Sequence, residues 1–182
     1  MPDYDIINFG SVDTGYRQLC TKCFNTEVAE SDGLNKFEHA DFAPVELTDC
    51  DGQAHVFHFR TRLFGPGVAM DAFEVRDGHP AGHQFQMIGE SEDDPLTLLA
   101  RLIEKIRRAI SIKHLKVGNL GLQIADPPIV RGRIGWDEAE EGRVPLVVID
   151  GRDITWDEFG RMLMTFEGWQ FKLEIRDKSE EF

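Results

Sequence analysis

Apolar residues at Leu96, Leu99, Ile103, Ile106 and Ile110 recur in steps of three and four, which puts them on one stripe of a helix running from Asp94 to Lys116. Leu102 and Ala109 widen the stripe, and Arg101, Lys105 and Arg108 occupy the opposite face. Asp94 before Pro95 supplies an N-cap followed by proline at the first helical position, and Gly118 is the expected stop.

Before this helix the period is two. Val45 and Leu47 alternate with polar neighbours, Asp51-Gly52 signals a turn, and residues 54–64 form a long strand. In that strand Phe57, Phe59, Thr61 and Leu63 face one way while His58, Arg60 and Arg62 face the other. Residues 68–75 and 84–88 read as two more strands around a loop from Arg76 to His83. Short connections predict an antiparallel meander with the 94–116 helix on its apolar face. Met1 to Gly15 reads as a lead-in without clear periodicity, and Tyr16 to Leu19 as a poor strand.

Residues 118–128 end in Asp126-Pro127-Pro128 and read as a linker, dividing the chain into modules 1–117 and 129–182. The second module starts with strands at 129–136 and 146–149. Thr155 and Glu158 are spaced as a capping box, with Ile154 stapled to Phe159, so a helix starts there and stops by Gly168. Trp169, Phe171, Leu173 and Ile175 then alternate with Gln170, Lys172 and Glu174, the pattern of a strand with one wet face; a charged tail runs from Asp177 to Phe182. The fold class expected is α+β: an antiparallel sheet covered by one long helix, followed by a small β-β-α-β module whose core holds the tryptophans.

The stretches R-Q-L-C-T-K-C-F-N and H-F-R-T-R-L-F-G-P-G, with V-V-I-D-G-R-D-I-T-W-D-E-F-G-R-M-L and F-E-G-W-Q-F-K-L-E-I farther on, resemble uncharacterised bacterial families known as domains of unknown function. The resemblance implies a bacterial origin and two modules joined near the proline pair. It brings no activity, cofactor or site.

Charge narrows the partners. A net −13 over 182 residues sets an unfavourable overall field for a phosphate backbone, so nucleic acid is not the expected partner. The 94–116 helix runs against that balance, with six Lys and Arg against Asp94 and Glu104; such a face is either solvated surface or a docking strip for an acidic partner. No apolar run is long enough to cross a bilayer and no leader pattern opens the chain, so the expected setting is cytoplasmic.

The candidate chemistry centres on Cys20 and Cys23. Two thiolates three residues apart ahead of a helix can reach one tetrahedral ion, and the expected site is a structural zinc held by Cys20, Cys23, His39 and Cys50, with His55 or His58 as substitute ligands. A redox dithiol and two ordinary buried thiols are the other readings. His79 and His83 sit with Asp77 in the expected hairpin loop, and the His58, Arg60, Arg62 row is either the solvated side of the sheet or a grip for a carboxylate or phosphate. Acidic pairs elsewhere lack an accompanying base or nucleophile. The function expected is a non-enzymatic cytosolic interaction protein with a protein partner and one structural zinc. The alternatives are an acidic inhibitor of a basic partner and a small-molecule or phosphate-ester enzyme built on His58, Arg60 and Arg62.

Overall fold

The alternating segments pair into an antiparallel sheet. In the computed structural model, which describes residues 2–13, 15–34, 37–119 and 121–180, strands β3 (Val45–Thr48), β4 (Ala54–Phe64), β5 (Gly67–Arg76) and β6 (His79–Glu90) lie in that order. Ahead of them β1 (Ile6–Ser11) and β2 (Gly15–Cys20) form a hairpin that feeds directly into α1 (Thr21–Asp32). The lead-in and the poor strand of the sequence reading are therefore paired to each other. Gly10 shows why the hairpin is tight, since a Cβ there would fall 2.0 Å from the Gly15 carbonyl oxygen.

The segment from Arg76 to His83, expected as a loop, is a tight turn followed by strand. Asp77 and Gly78 both take positive φ, 53° and 83°, the geometry of a two-residue hairpin turn, so β6 already begins at His79. The register then slips: Phe73 faces Gln84 while Glu74 faces Ala81, and Gly82 and His83 are left over as a bulge.

One sheet face carries Phe57, Leu63, Val68, Met70, Ala72 and Met87, all buried against Leu98, Leu102, Ile106 and Ile110 of α2 (Pro95–Ile110). The Asp94 carboxylate caps α2 by accepting the Thr97 N–H. The buried stripe is rotated from the expected one: Leu96 is 66% exposed and Ala109 is exposed, while Leu99 and Ile103 flank the core. The helix also ends six residues early for a physical reason. The Asp150 carboxylate accepts the N–H groups of His114 and Leu115 and draws this stretch into strand β7 (Leu115–Gly118). α1 closes the other flank. β3 covers only Ala54–Phe57 of β4, and farther along Asn25 donates to the Thr61 carbonyl and accepts the Leu63 N–H, at 2.7 and 2.9 Å.

The opposite sheet face is not the solvated row expected. Asp71 is buried at its centre and holds Arg60 at 3.3 Å and Arg62 at 2.8 Å on one oxygen, while Lys178 at 3.3 Å and Gln86 donate to the other. His58 packs against Tyr4 and Phe73. The guanidiniums that sequence offered to an external anion are engaged by the chain itself. Lys105, expected on a wet face, reaches the carbonyls of Gln86, Lys178, Ser179 and Glu180.

β7 pairs with β8 (Gly121–Ile124), so a hairpin occupies part of the segment expected to be a linker; position 120 and the last two residues of the expected tail lie outside the described residues. β9 (Arg133–Trp136), β10 (Pro145–Ile149) and β11 (Arg152–Ile154) form a three-stranded sheet in the order β11-β10-β9. The capping box forms as expected at the start of α3 (Trp156–Leu163). A second core joins Leu115, Ile124, Ile149, Ile154 and Met162. The tryptophans do not fill it: Trp136, Trp156 and Trp169 are all exposed. The alternating segment after Gly168 is part of no strand among the described residues. No described helix is long and apolar enough to cross a membrane.

Candidate metal centre

The bulge at β6 determines what happens at one end of the main sheet. By freeing the His83 N–H from the ladder it lets that group donate to Glu74 Oε2 at 2.7 Å, while the His83 ring Nδ1 meets the same oxygen at 3.0 Å. On the neighbouring strand His55, on the same face as Phe57, brings its Nδ1 to 2.8 Å from Glu74 Oε1. The two imidazoles stand edge to face, 5.0 Å apart. One donor atom each from His55, Glu74 and His83 fits within 4.8 Å of the others, the single such group of three or more His, Cys, Asp or Glu side chains among the described residues.

A further layer backs this trio. The other ring nitrogen of His55 lies 3.1 Å from Asp49 Oδ2, and Lys113 Nζ lies 2.5 Å from that same oxygen. Asp49 Oδ1 accepts the N–H groups of Asp51 and Gln53, which folds the β3–β4 turn around the carboxylate. Both nitrogens of His55 thus face carboxylate oxygens, and both contacts are hydrogen bonds only when each nitrogen carries a proton. The Asp49 side chain is fully buried, and those of His55 and His83 nearly so.

The acids respond to this setting. The Lys113 hydrogen bond, opposed by burial and reinforced by His55 and two backbone N–H groups, holds the Asp49 carboxyl far below its ordinary 3.8. Burial alone would raise Glu74, but the hydrogen bonds from His83 and His55 outweigh it and bring its pKa down to about 2 from 4.5. Glu74 is therefore a carboxylate over the whole physiological range.

The C-terminal module closes the site from outside. The Asp150–Gly151 turn between β10 and β11 has positive φ at both residues, and a Cβ on Gly151 would fall 2.6 Å from His83 Nδ1 and 3.3 Å from Glu74 Oε2. Arg76 and Asp153 pair at 2.9 Å across the same seam. Two imidazoles and a carboxylate form a donor set that suits zinc and its neighbours among divalent transition metals. In such a site the Nδ1 atoms would turn from Glu74 to the ion, and Asp49 would orient His55 through its remaining N–H.

The sequence-derived ligands lie elsewhere. Cys20 is the N-cap of α1 and its Sγ accepts the Cys23 N–H at 3.4 Å, so the pair is together at the helix start. That hydrogen bond holds the Cys20 thiol below its usual range, and the Cys20 side chain pushes Cys23 up. His39 and Cys50 are not gathered with them. The His39 ring is held between Asn25 and Asp41, each at 2.9 Å, and Cys50 is exposed in the β3–β4 turn, its N–H donating to the Ile110 carbonyl. Asp49, Glu74 and Lys113 had no sequence signal of their own. His83 had one: the Asp77-Gly78 turn moves it from a loop onto a strand.

Three family models match the chain in succession: the domain of unknown function DUF7685 over residues 1–35, DUF7686 over 38–111 and DUF7713 over 114–180. No curated protein and no solved structure matches it. The second match spans the main sheet and α2 and the third the C-terminal module, so the trio and the Gly151 turn that closes it come from two different stretches, and the chain as a whole is similar to domains of unknown function joined in series.

Proposed function

We propose that the protein is a non-enzymatic, metal-stabilised interaction module, in which a divalent transition ion, zinc by preference, sits on His55, Glu74 and His83 and locks the C-terminal module onto the main sheet. The observation that carries this reading is the convergence of the three donor atoms within 4.8 Å beneath the Gly151 turn. A structural role suits the location, because the seam covers the trio and the Asp49–Lys113 pair fills the space behind it. The proposed setting is the cytoplasm, where the thiols of Cys20, Cys23 and Cys50 stay reduced.

A second reading keeps zinc on Cys20 and Cys23, favoured by their contact at the start of α1, with the remaining donors supplied from outside the pair. One experiment separates the two. Metal content of the purified full chain, grown in zinc-supplemented medium, should be close to one ion per chain, lost in His83→Ala and kept in the Cys20→Ser/Cys23→Ser variant. The reverse pattern would move the ion to the thiols. Protein with no metal, and a melting temperature indifferent to added zinc or chelator, would sink both.

A further inference from the structure

The segment from Trp169 to Arg176 joins no helix or strand among the described residues and exposes Trp169, Phe171, Leu173 and Ile175 by 69, 89, 73 and 70%. Four large apolar side chains at every second position form one face of a pleated strand, and an isolated strand with such a face is a template for pairing. The segment is tied down on both sides. Trp169 donates its N–H to the Phe166 carbonyl and packs on the Phe166 ring, and Lys178 reaches Asp71 on the main sheet. It is presented at a fixed place.

The polar face says what it fits. Lys172 and Arg176 both pair with Glu174, so the face reads basic, acidic, basic along the strand. Set the segment antiparallel to an identical one with Leu173 opposite Leu173. Phe171 then faces Ile175 and Lys172 faces Glu174, each twice by symmetry, while Gln170 faces Arg176. Phe171, Leu173 and Ile175 meet apolar residues and Lys172 meets Glu174 twice across the strands, with Trp169 beside Asp177 at the rim. Sliding the centre to Lys172 places lysine on lysine; sliding it to Glu174 places glutamate on glutamate and Lys172 on Arg176. Centring on Ile175 sets Lys172 against Lys178, and centring on Phe171 sets Lys172 against Gln170 and Glu174 against Gly168, with no pair of opposite charges. Registers of the other parity turn the apolar face of one strand to the polar side of its neighbour.

We infer that the partner of this segment is a second copy of the chain, joined through an antiparallel two-stranded pairing of residues 170–176 centred on Leu173. The contact is isologous, each copy giving and receiving the same surface, and so closes at two chains. It identifies the partner for the interaction reading above but uses none of the residues of the metal centre, so either can fail without the other.

Sedimentation of the full-length protein over a wide concentration range tests it, with metal content and thermal melts followed in every variant. The wild type should sediment as a dimer that dissociates on dilution. Lys172→Glu sets acid against acid in both cross-strand pairs and should weaken the dimer at least tenfold. The double variant Lys172→Glu/Glu174→Lys exchanges the charges and should restore it. Leu173→Asp, which faces itself across the axis, should give monomer with an unchanged melt, because the position is exposed in the single chain. A wild type that stays monomeric throughout would overturn the inference. So would a dimer that ignores Lys172→Glu, or one that the double variant fails to restore. A dimer sensitive instead to Ile134→Lys on the open edge of β9 would place the contact there and equally refute the strand pairing.

Discussion

Lys113, three residues beyond the end of α2, closes on Asp49 in the β3–β4 turn at 2.5 Å, and that carboxylate in turn holds His55. The pair ties the helix exit to the sheet end that carries the candidate metal centre. Because the Asp49 side chain is fully buried, removing the lysine leaves a negative charge with only His55 and two backbone donors. Lys113→Met should destabilise the protein by about 3 kcal/mol, the range seen when one member of a buried pair is deleted. Asp49→Asn/Lys113→Met should recover a good part of that loss. Urea denaturation of the two variants checks the order.

Acid should weaken the fold through the same cluster. In metal-free protein Glu74 has a folded pKa of about 2 against 4.5 for the free group, so its contribution is fully present above about 4.5 and is lost as pH falls through the window down to about 2. Asp49, lowered from 3.8, adds to the loss over the acid range and in the same direction. The urea midpoint should fall steeply on acidification through that window, and the slope should be shallower in Glu74→Gln. An unchanged slope in that variant would remove Glu74 from the account.

Much of the architecture was legible because it depends on local chemistry. Asp94 with Pro95 starts α2, Thr155 with Glu158 starts α3, and alternation marks β4 through its full length. What was not legible depends on distant partners. Nothing near Ser111 says that α2 stops, because the stop comes from Asp150 in the β10–β11 turn. The metal-capable trio draws single residues from three strands, assembled by a bulge that no local motif announces, whereas the visible C-x-x-C pair suggested a site whose other members fold elsewhere. The segment 169–176 alternates as a strand would, yet it joins no strand among the described residues and its apolar side chains are exposed, because alternation marks a face and not the partner that would cover it.

The rotation of the α2 stripe is open to direct measurement. Leu102 is wholly buried among Phe57, Leu63 and Met70, whereas Leu96, part of the stripe that spacing suggested, is 66% exposed. Leu102→Ala should cost about 2–5 kcal/mol through lost burial and the cavity left behind. Leu96→Ala should change stability by no more than about 0.5 kcal/mol. Equal costs in chemical denaturation would mean that the helix presents the other stripe to the sheet.

Two glycines of the C-terminal module should respond to alanine in opposite directions. At Gly160, inside α3, a Cβ meets nothing within 4 Å, so Gly160→Ala should stabilise by about 0.5–1 kcal/mol through reduced freedom of the unfolded chain and better helix propensity. Gly151 has a φ of 71°, and its Cβ would collide with the His83 ring at 2.6 Å and crowd Glu74 Oε2 at 3.3 Å. The positive φ alone costs an alanine about 1 kcal/mol, and pushing the ring aside adds about 1–3 more. Gly151→Ala should therefore lower the melting temperature and weaken any metal bound by His83, while Gly160→Ala raises the first and leaves the second unchanged. Melts of both variants with and without added zinc read the two effects separately. If Gly151→Ala were as stable as the wild type and bound metal equally well, the turn would not be the wall that closes this site.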